Sequence, residues 1–406
     1  MRSGSALWTA ALIIALASTS VGVYAADPAA DLQRGNDLFK AGDYDTAVQV
    51  LSEVAAADPK LAPDAQRTIG TCYQLKGDYA KAIECYEKLL TTYPGSEAAS
   101  EVYYWLGTCY ESQKNVDQAI SCFEKQISGF PTSRKTAPAM LKLGERYQDK
   151  TQYDLAMQQF EKVAKEYPER AARVQLLIGI CYQVQGRYQE AIDALDKVTA
   201  SSNGNGSVNE VKLRKAECLR GQGKYAEELA YLQTLCAESP DLKADSLVRQ
   251  AEVLKDYLRD YPQAIAVLER VITECPDSRL AVEAQARIAS VKLYGLWDIA
   301  EARKMIQDFV AKHPDYPGMI YVRCDLAYCS YAEGKYLEAA KLFEEAYTCQ
   351  DSENWRPPIL YIVGDSYKRA GDKAKAQEAW NKLMDVYPGN DWSALAAVDS
   401  TTLWEE

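Results

Sequence analysis

Eleven cysteines and a single histidine, His313, set the limits of what this chain can catalyse. A Ser-His-Asp triad would have to use that one ring, and histidine metal clusters or a haem-attaching Cys-x-x-Cys-His run are absent. His313 stands before Pro314, a helix-ending pair, where an imidazole charge would answer the helix dipole. Cys324 and Cys329, a lone Cys-x4-Cys pair, make a poor zinc signal, and no Gly-x-x-x-x-Gly-Lys loop offers a phosphate cradle. Neither an enzyme activity nor a cofactor nor a bound metal is expected.

The cysteines instead follow a period. Cys72, Cys109, Cys181, Cys218 and Cys329 occupy one recurring position, and Cys85 and Cys122 another. Around them recur a small residue (Gly35, Gly70, Gly107, Gly144, Gly179, Ala216, Ala251, Ala327, Gly364), a second small residue twelve positions on (Ala47, Ala82, Ala119, Ala156, Ala191, Ala339, Ala376), and a proline closing many repeats. Each repeat reads as a helical hairpin whose small residues mark where the two helices touch, with Tyr73, Tyr79 and Tyr86 and their equivalents filling the space beside the contact. Gly77, Gly186, Gly223, Gly334 and Gly371 fall between the helices, where a left-handed residue ends the first one cheaply.

The run "YYWLGTCY...AISCFEKQISGFP" resembles the tetratricopeptide repeat, and the resemblance covers nearly all of the chain after residue 28. It implies an all-α, right-handed α-solenoid of about ten hairpins lined on its concave face by the first helices. Hairpins one to five are expected over 26–205, hairpins six to ten over 206–390, and a capping segment over 391–406, with Trp392, Leu395 and Leu403 covering the last hairpin. The seventh hairpin requires an insertion at "DYLRDYP", and the Gly/Ser/Asn-rich stretch 201–209 reads as a flexible loop or hinge. Within the family, "TTYPGSEAASEVYYWLG" is most similar to periplasmic members such as the Tol-Pal system coordinator and the outer-membrane-assembly lipoproteins.

Residues 1–25 read as a secretory leader: Arg2, an apolar run from Leu7 to Ala17, and small residues at Val23 and Ala25 before the cut. An exported, periplasmic or secreted protein is expected, without membrane insertion once the leader is removed. Export to an oxidising compartment leaves two readings of the cysteines open. They are buried free thiols filling small apolar positions, or they include disulfides, with Cys72–Cys85 and Cys109–Cys122 the first candidates because their spacing recurs.

A net charge of −12 argues against nucleic-acid binding. The expected function is a scaffold or adaptor for protein–protein interactions in cell-envelope assembly or maintenance, holding an extended or helical segment of a partner. The groove residues expected to hold it are Tyr104, Glu111, Glu145, Gln148 and Gln183, followed by the stripe Tyr321, Tyr328 and Tyr331 with Tyr361 beside it. A scaffold for polysaccharide export or carbohydrate binding is the alternative, resting on tyrosines that could stack on sugars. The sequence does not specify the oligomeric state.

Overall fold

The computed structural model describes residues 27–201, 207–349 and 355–403, which divide into two compact units, one ending at Gln185 and the other beginning at Gly186. The leader 1–25 lies outside the described residues, as do 202–206 of the expected 201–209 loop, while 207–209 already belong to a helix. Every element of the described residues is helical.

In the first unit the helices are α1 (Pro28–Ala41), α2 (Tyr44–Ala57), α3 (Ala62–Leu75), α4 (Tyr79–Thr92), α5 (Ala99–Ser112), α6 (Val116–Gly129), α7 (Thr136–Asp149), α8 (Tyr153–Glu166) and α9 (Ala171–Val184). The second unit comprises α10 (Tyr188–Ser201), α11 (Ser207–Gly221), α12 (Tyr225–Glu238), α13 (Lys243–Glu252), α14 (Tyr261–Glu274), α15 (Arg279–Ser290), α16 (Ile299–Lys312), α17 (Met319–Ala332), α18 (Tyr336–Tyr347), α19 (Arg356–Arg369), α20 (Lys373–Val386) and α21 (Asp391–Thr402). Within each unit successive helices pack on one another as stacked antiparallel hairpins, the arrangement of an α-solenoid.

The junction inside a hairpin shows why these residues fold this way. Gly77 takes φ +80°, Asp78 donates its N–H to the carbonyl of Tyr73 at 2.9 Å, and the Asp78 carboxylate then accepts the Lys81 N–H to start α4. Lys114 and Thr151 occupy the same left-handed place at φ +61° and +59°, a conformation that costs a side chain about 1–2 kcal/mol.

The small residues work differently from the sequence reading. Five of the recurring glycines each lie under a large side chain of the second helix, one turn beyond its alanine. Leu51 covers Gly35, Tyr86 covers Gly70, Phe123 covers Gly107, Phe160 covers Gly144 and Trp380 covers Gly364, each leaving no room for a Cβ. The alanines, Ala47, Ala82, Ala119, Ala156, Ala339 and Ala376 among them, are fully buried beside these contacts.

Two hairpins depart from the pattern. After α13 the chain makes a π-turn over Val253–Tyr257, and after α15 another over Val291–Gly295. Asp260 donates to the carbonyl of Leu254 and Asp298 to that of Lys292, one residue further back than Asp78 reaches, so each turn holds one extra residue. The insertion expected at "DYLRDYP" is the first of these; the second, at Gly295-Leu296-Trp297, is not apparent from the sequence. At the carboxyl end α21 covers the last hairpin through Trp392, Ala396 and Leu403. Leu395 instead faces outward at 49% exposure, because Ala396 takes the buried place on the helix.

Candidate partner-binding groove

In the first unit the expected groove residues come together, and their charges are already engaged. Glu111 on α5 lies 3.4 Å from Lys142 and 3.2 Å from Arg146, both on α7. Glu145 on α7 lies 3.4 Å from Lys142 and 3.6 Å from Arg173 on α9. Burial pushes the Glu111 carboxyl up, and the two cations oppose that shift. Gln148 donates to the Cys181 thiol at 3.1 Å, and Gln183 lies half-buried on α9. Tyr104 is half-buried, edge-on to Trp105 at 5.0 Å, with the Lys135 ammonium 5.1 Å from its ring. These side chains stitch one first helix to the next.

The second unit continues this stitching with different residues. Arg287 on α15 reaches back to Glu252 on α13 at 2.7 Å and along its own helix to Glu283 at 2.8 Å. Arg249 pairs with Glu217 at 2.9 Å, and Arg220 holds the fully buried Glu228 at 2.8 Å. Tyr331 donates to Asp365 on α19 at 2.5 Å, and Tyr361 donates to Asp399 on α21 at 2.7 Å while packing against Trp380 and Trp392. Tyr328 lies 5.2 Å from Tyr294 and stacks against Tyr331 at 6.1 Å. Of the aromatic stripe, Tyr331 and Tyr361 thus bind neighbouring helices, and Tyr321 stays exposed, edge-on to Trp355 at 5.4 Å.

Tyr321 lines a cavity of about 400 Å³ formed by α13, α15 and α17, together with Glu252, Arg287, Ser290, Tyr316 and Asp325. Sequence reasoning passed over Asp325, a lone carboxylate inside an aromatic stripe. Ser290 and Tyr294 both donate to it, Tyr294 at 2.8 Å, and burial pushes its carboxyl up against those hydrogen bonds and the charge of Lys255. His313 is at the carboxyl end of α16, its ring 4.8 Å from Phe309, beside a neighbouring cavity of about 470 Å³.

All eleven cysteines are free thiols, so neither Cys72–Cys85 nor Cys109–Cys122 is bridged. Cys72, Cys109 and Cys122 are core side chains, each packed within an apolar cluster that takes a thiol as a small hydrophobe, and Cys85 is half-buried against the cluster holding Cys72. Cys324 and Cys329 pack into different clusters and do not form a common site.

Models of the tetratricopeptide repeat match residues 32–97, 76–131, 141–206, 245–278 and 359–390, more than half of the chain. Among solved structures, the chain is similar to MamA (26% identity over 45% of this chain and 96% of that one, TM-score 0.36). It is also similar to a tetratricopeptide repeat protein from Parabacteroides merdae (16%, 61% and 92%, TM-score 0.43) and to Naa15/Naa10 bound to HypK (15%, 93% and 64%, TM-score 0.44). No curated protein matches the chain.

Proposed function

Because the chain belongs to the tetratricopeptide repeat family, we propose that it is a non-catalytic scaffold that holds a protein partner along its first helices. The cavity across α13, α15 and α17 supports this reading: three successive first helices open a common space with an exposed ring, Tyr321, at its side. An extended or helical segment fits that geometry, with Tyr321 as an aromatic anchor and Arg287 and Asp325 as polar contacts. The leader-like run over residues 1–25 supports export as part of this reading, and with it a role in assembly or maintenance of the cell envelope.

The test is capture from envelope extract using the chain and its Tyr321→Ala variant, each with and without muramidase digestion. A partner captured in both conditions and lost with the variant is the expected result. Capture abolished by digestion would replace the protein partner with a glycan, and capture unchanged by the variant would remove the cavity from the binding site.

A further inference from the structure

The cavity across α13, α15 and α17 is walled by three carboxylates, Glu252, Glu283 and Asp325, against two cations, Lys255 and Arg287. Both cations are committed. Arg287 closes on Glu252 at 2.7 Å and on Glu283 at 2.8 Å, and Lys255 pairs with its chain neighbour Asp256 at 3.2 Å. Glu252 has a second, longer contact with Arg220 at 3.8 Å, so the two glutamates are answered from within the protein.

Asp325 differs from them. Its oxygens accept from hydroxyls, Ser290 on one and Tyr294 at 2.8 Å on the other, and it makes no ion pair among the described residues. Hydroxyls bring no charge, so the carboxylate stands uncompensated at the cavity wall; burial pushes its carboxyl up although the charge of Lys255 pulls the other way. Each oxygen has taken one hydrogen bond and keeps acceptor capacity for another. The rest of the wall suits a cationic guest. Ala286, Val291 and Val322 offer apolar surface to an aliphatic stem, and the rings of Tyr316 and Tyr321 border the same space, Tyr321 47% exposed. A carboxylate without a cation, apolar walls and tyrosine rings around about 400 Å³ select a long basic side chain over an acidic or a neutral one. Given that the cavity holds a partner segment, as proposed above, we infer that this segment presents a lysine or arginine that passes Tyr321 and meets Asp325.

Pools of short peptides test this with the full chain. Each pool has mixed flanks and one residue fixed at the centre, Lys, Arg, Gln, Leu or Glu, and is probed with the chain and three variants. A net charge of −12 attracts basic peptides to the whole surface, so Asp308→Asn, at an exposed carboxylate on α16, removes the same charge away from the cavity. The expected result is that the Lys and Arg pools bind severalfold more than the Gln pool. Asp325→Asn, which still accepts from Ser290 and Tyr294, should bring them down to the Gln level without weakening the Gln and Leu pools. Asp308→Asn should leave the preference in place, and Tyr321→Ala should weaken every pool. Urea midpoints establish that each variant is folded. Basic pools bound no better than neutral ones, or a basic preference that survives Asp325→Asn or falls equally in Asp308→Asn, would overturn the inference while leaving a Tyr321-dependent groove standing. Binding indifferent to Tyr321→Ala would instead remove the groove, and the inference with it.

Discussion

The ring of Tyr86 packs against Gly70 where a Cβ would stand, and its hydroxyl is held by Thr71 and Gln74, both at 3.1 Å. The contact joins the two helices of the second hairpin through a single residue pair, with no side chain between ring and backbone. Gly70→Ala would force the ring away, since a Cβ there has no room. The expected loss is ~1–3 kcal/mol from overpacking, partly offset by the ~1 kcal/mol that alanine gains in a helix. Tyr86→Phe keeps the packing and loses only the hydroxyl's bonds, about 1 kcal/mol. Urea midpoints of both variants should fall below wild type, and Ala82→Leu, at a fully buried alanine of the same hairpin, should cost ~1–3 kcal/mol.

Arg287 connects two hairpins through one guanidinium. Arg287→Leu leaves Glu252 and Glu283 with the same charge and no cation between them. Because about a third of the arginine is exposed, the expected cost is ~1 kcal/mol, smaller than for a buried pair. Arg287→Lys should recover only part of it, since an ammonium lacks the fork that reaches both carboxylates. Salt titration of the urea midpoint checks the assignment: wild type should lose more stability with added salt than Arg287→Leu.

The thiols should resist labelling in the folded protein. Burial pushes Cys72, Cys122, Cys218 and Cys329 up to about 11, and Cys109 and Cys324 up to about 12, so at pH 8 few are thiolate. Mass spectrometry after native alkylation should find these six unmodified, and alkylation in urea without reductant should modify all eleven. Fewer than eleven would reveal a disulfide.

Asp325 predicts a pH dependence of known sign. Its folded-state value is raised by burial, so ionising it costs stability. Its contribution is present below the unfolded carboxylate range, near about pH 4, and is lost as pH rises through the raised value. Asp325→Asn removes that titration and still accepts from Ser290 and Tyr294. Urea midpoints from pH 4 to 7 should show wild type losing stability relative to the variant as pH rises; parallel curves would mean that Asp325 is not buried as described.

The hairpin count, the glycine junctions and the burial of the recurring alanines were legible because each depends on local chemistry repeated along the chain. The partner of each glycine was not: the sequence shows a small residue and several large ones per repeat, and only the packed helices decide that Tyr86 and not Ala82 lies on Gly70. The ties among the candidate groove residues were not legible for a related reason. Glu111, Glu145, Tyr331 and Tyr361 look free on their own helices, and their partners stand on the next helix of the same kind, a separation that helix periodicity does not reveal. Leu395 fails more simply, by one position on a short helix whose faces differ little in polarity.

The π-turns show how this architecture accommodates change in length. One additional residue entered each of two neighbouring turns, and α14 and α16 still begin on an aspartate cap, Asp260 and Asp298, as α4 begins on Asp78. The extra length was absorbed within the closing turn, leaving the following helix in register. The connection inside a hairpin is therefore decoupled from the packing on either side of it, and longer segments grafted between Leu258 and Asp260, or between Leu296 and Asp298, would be displayed without shifting the helices that carry them.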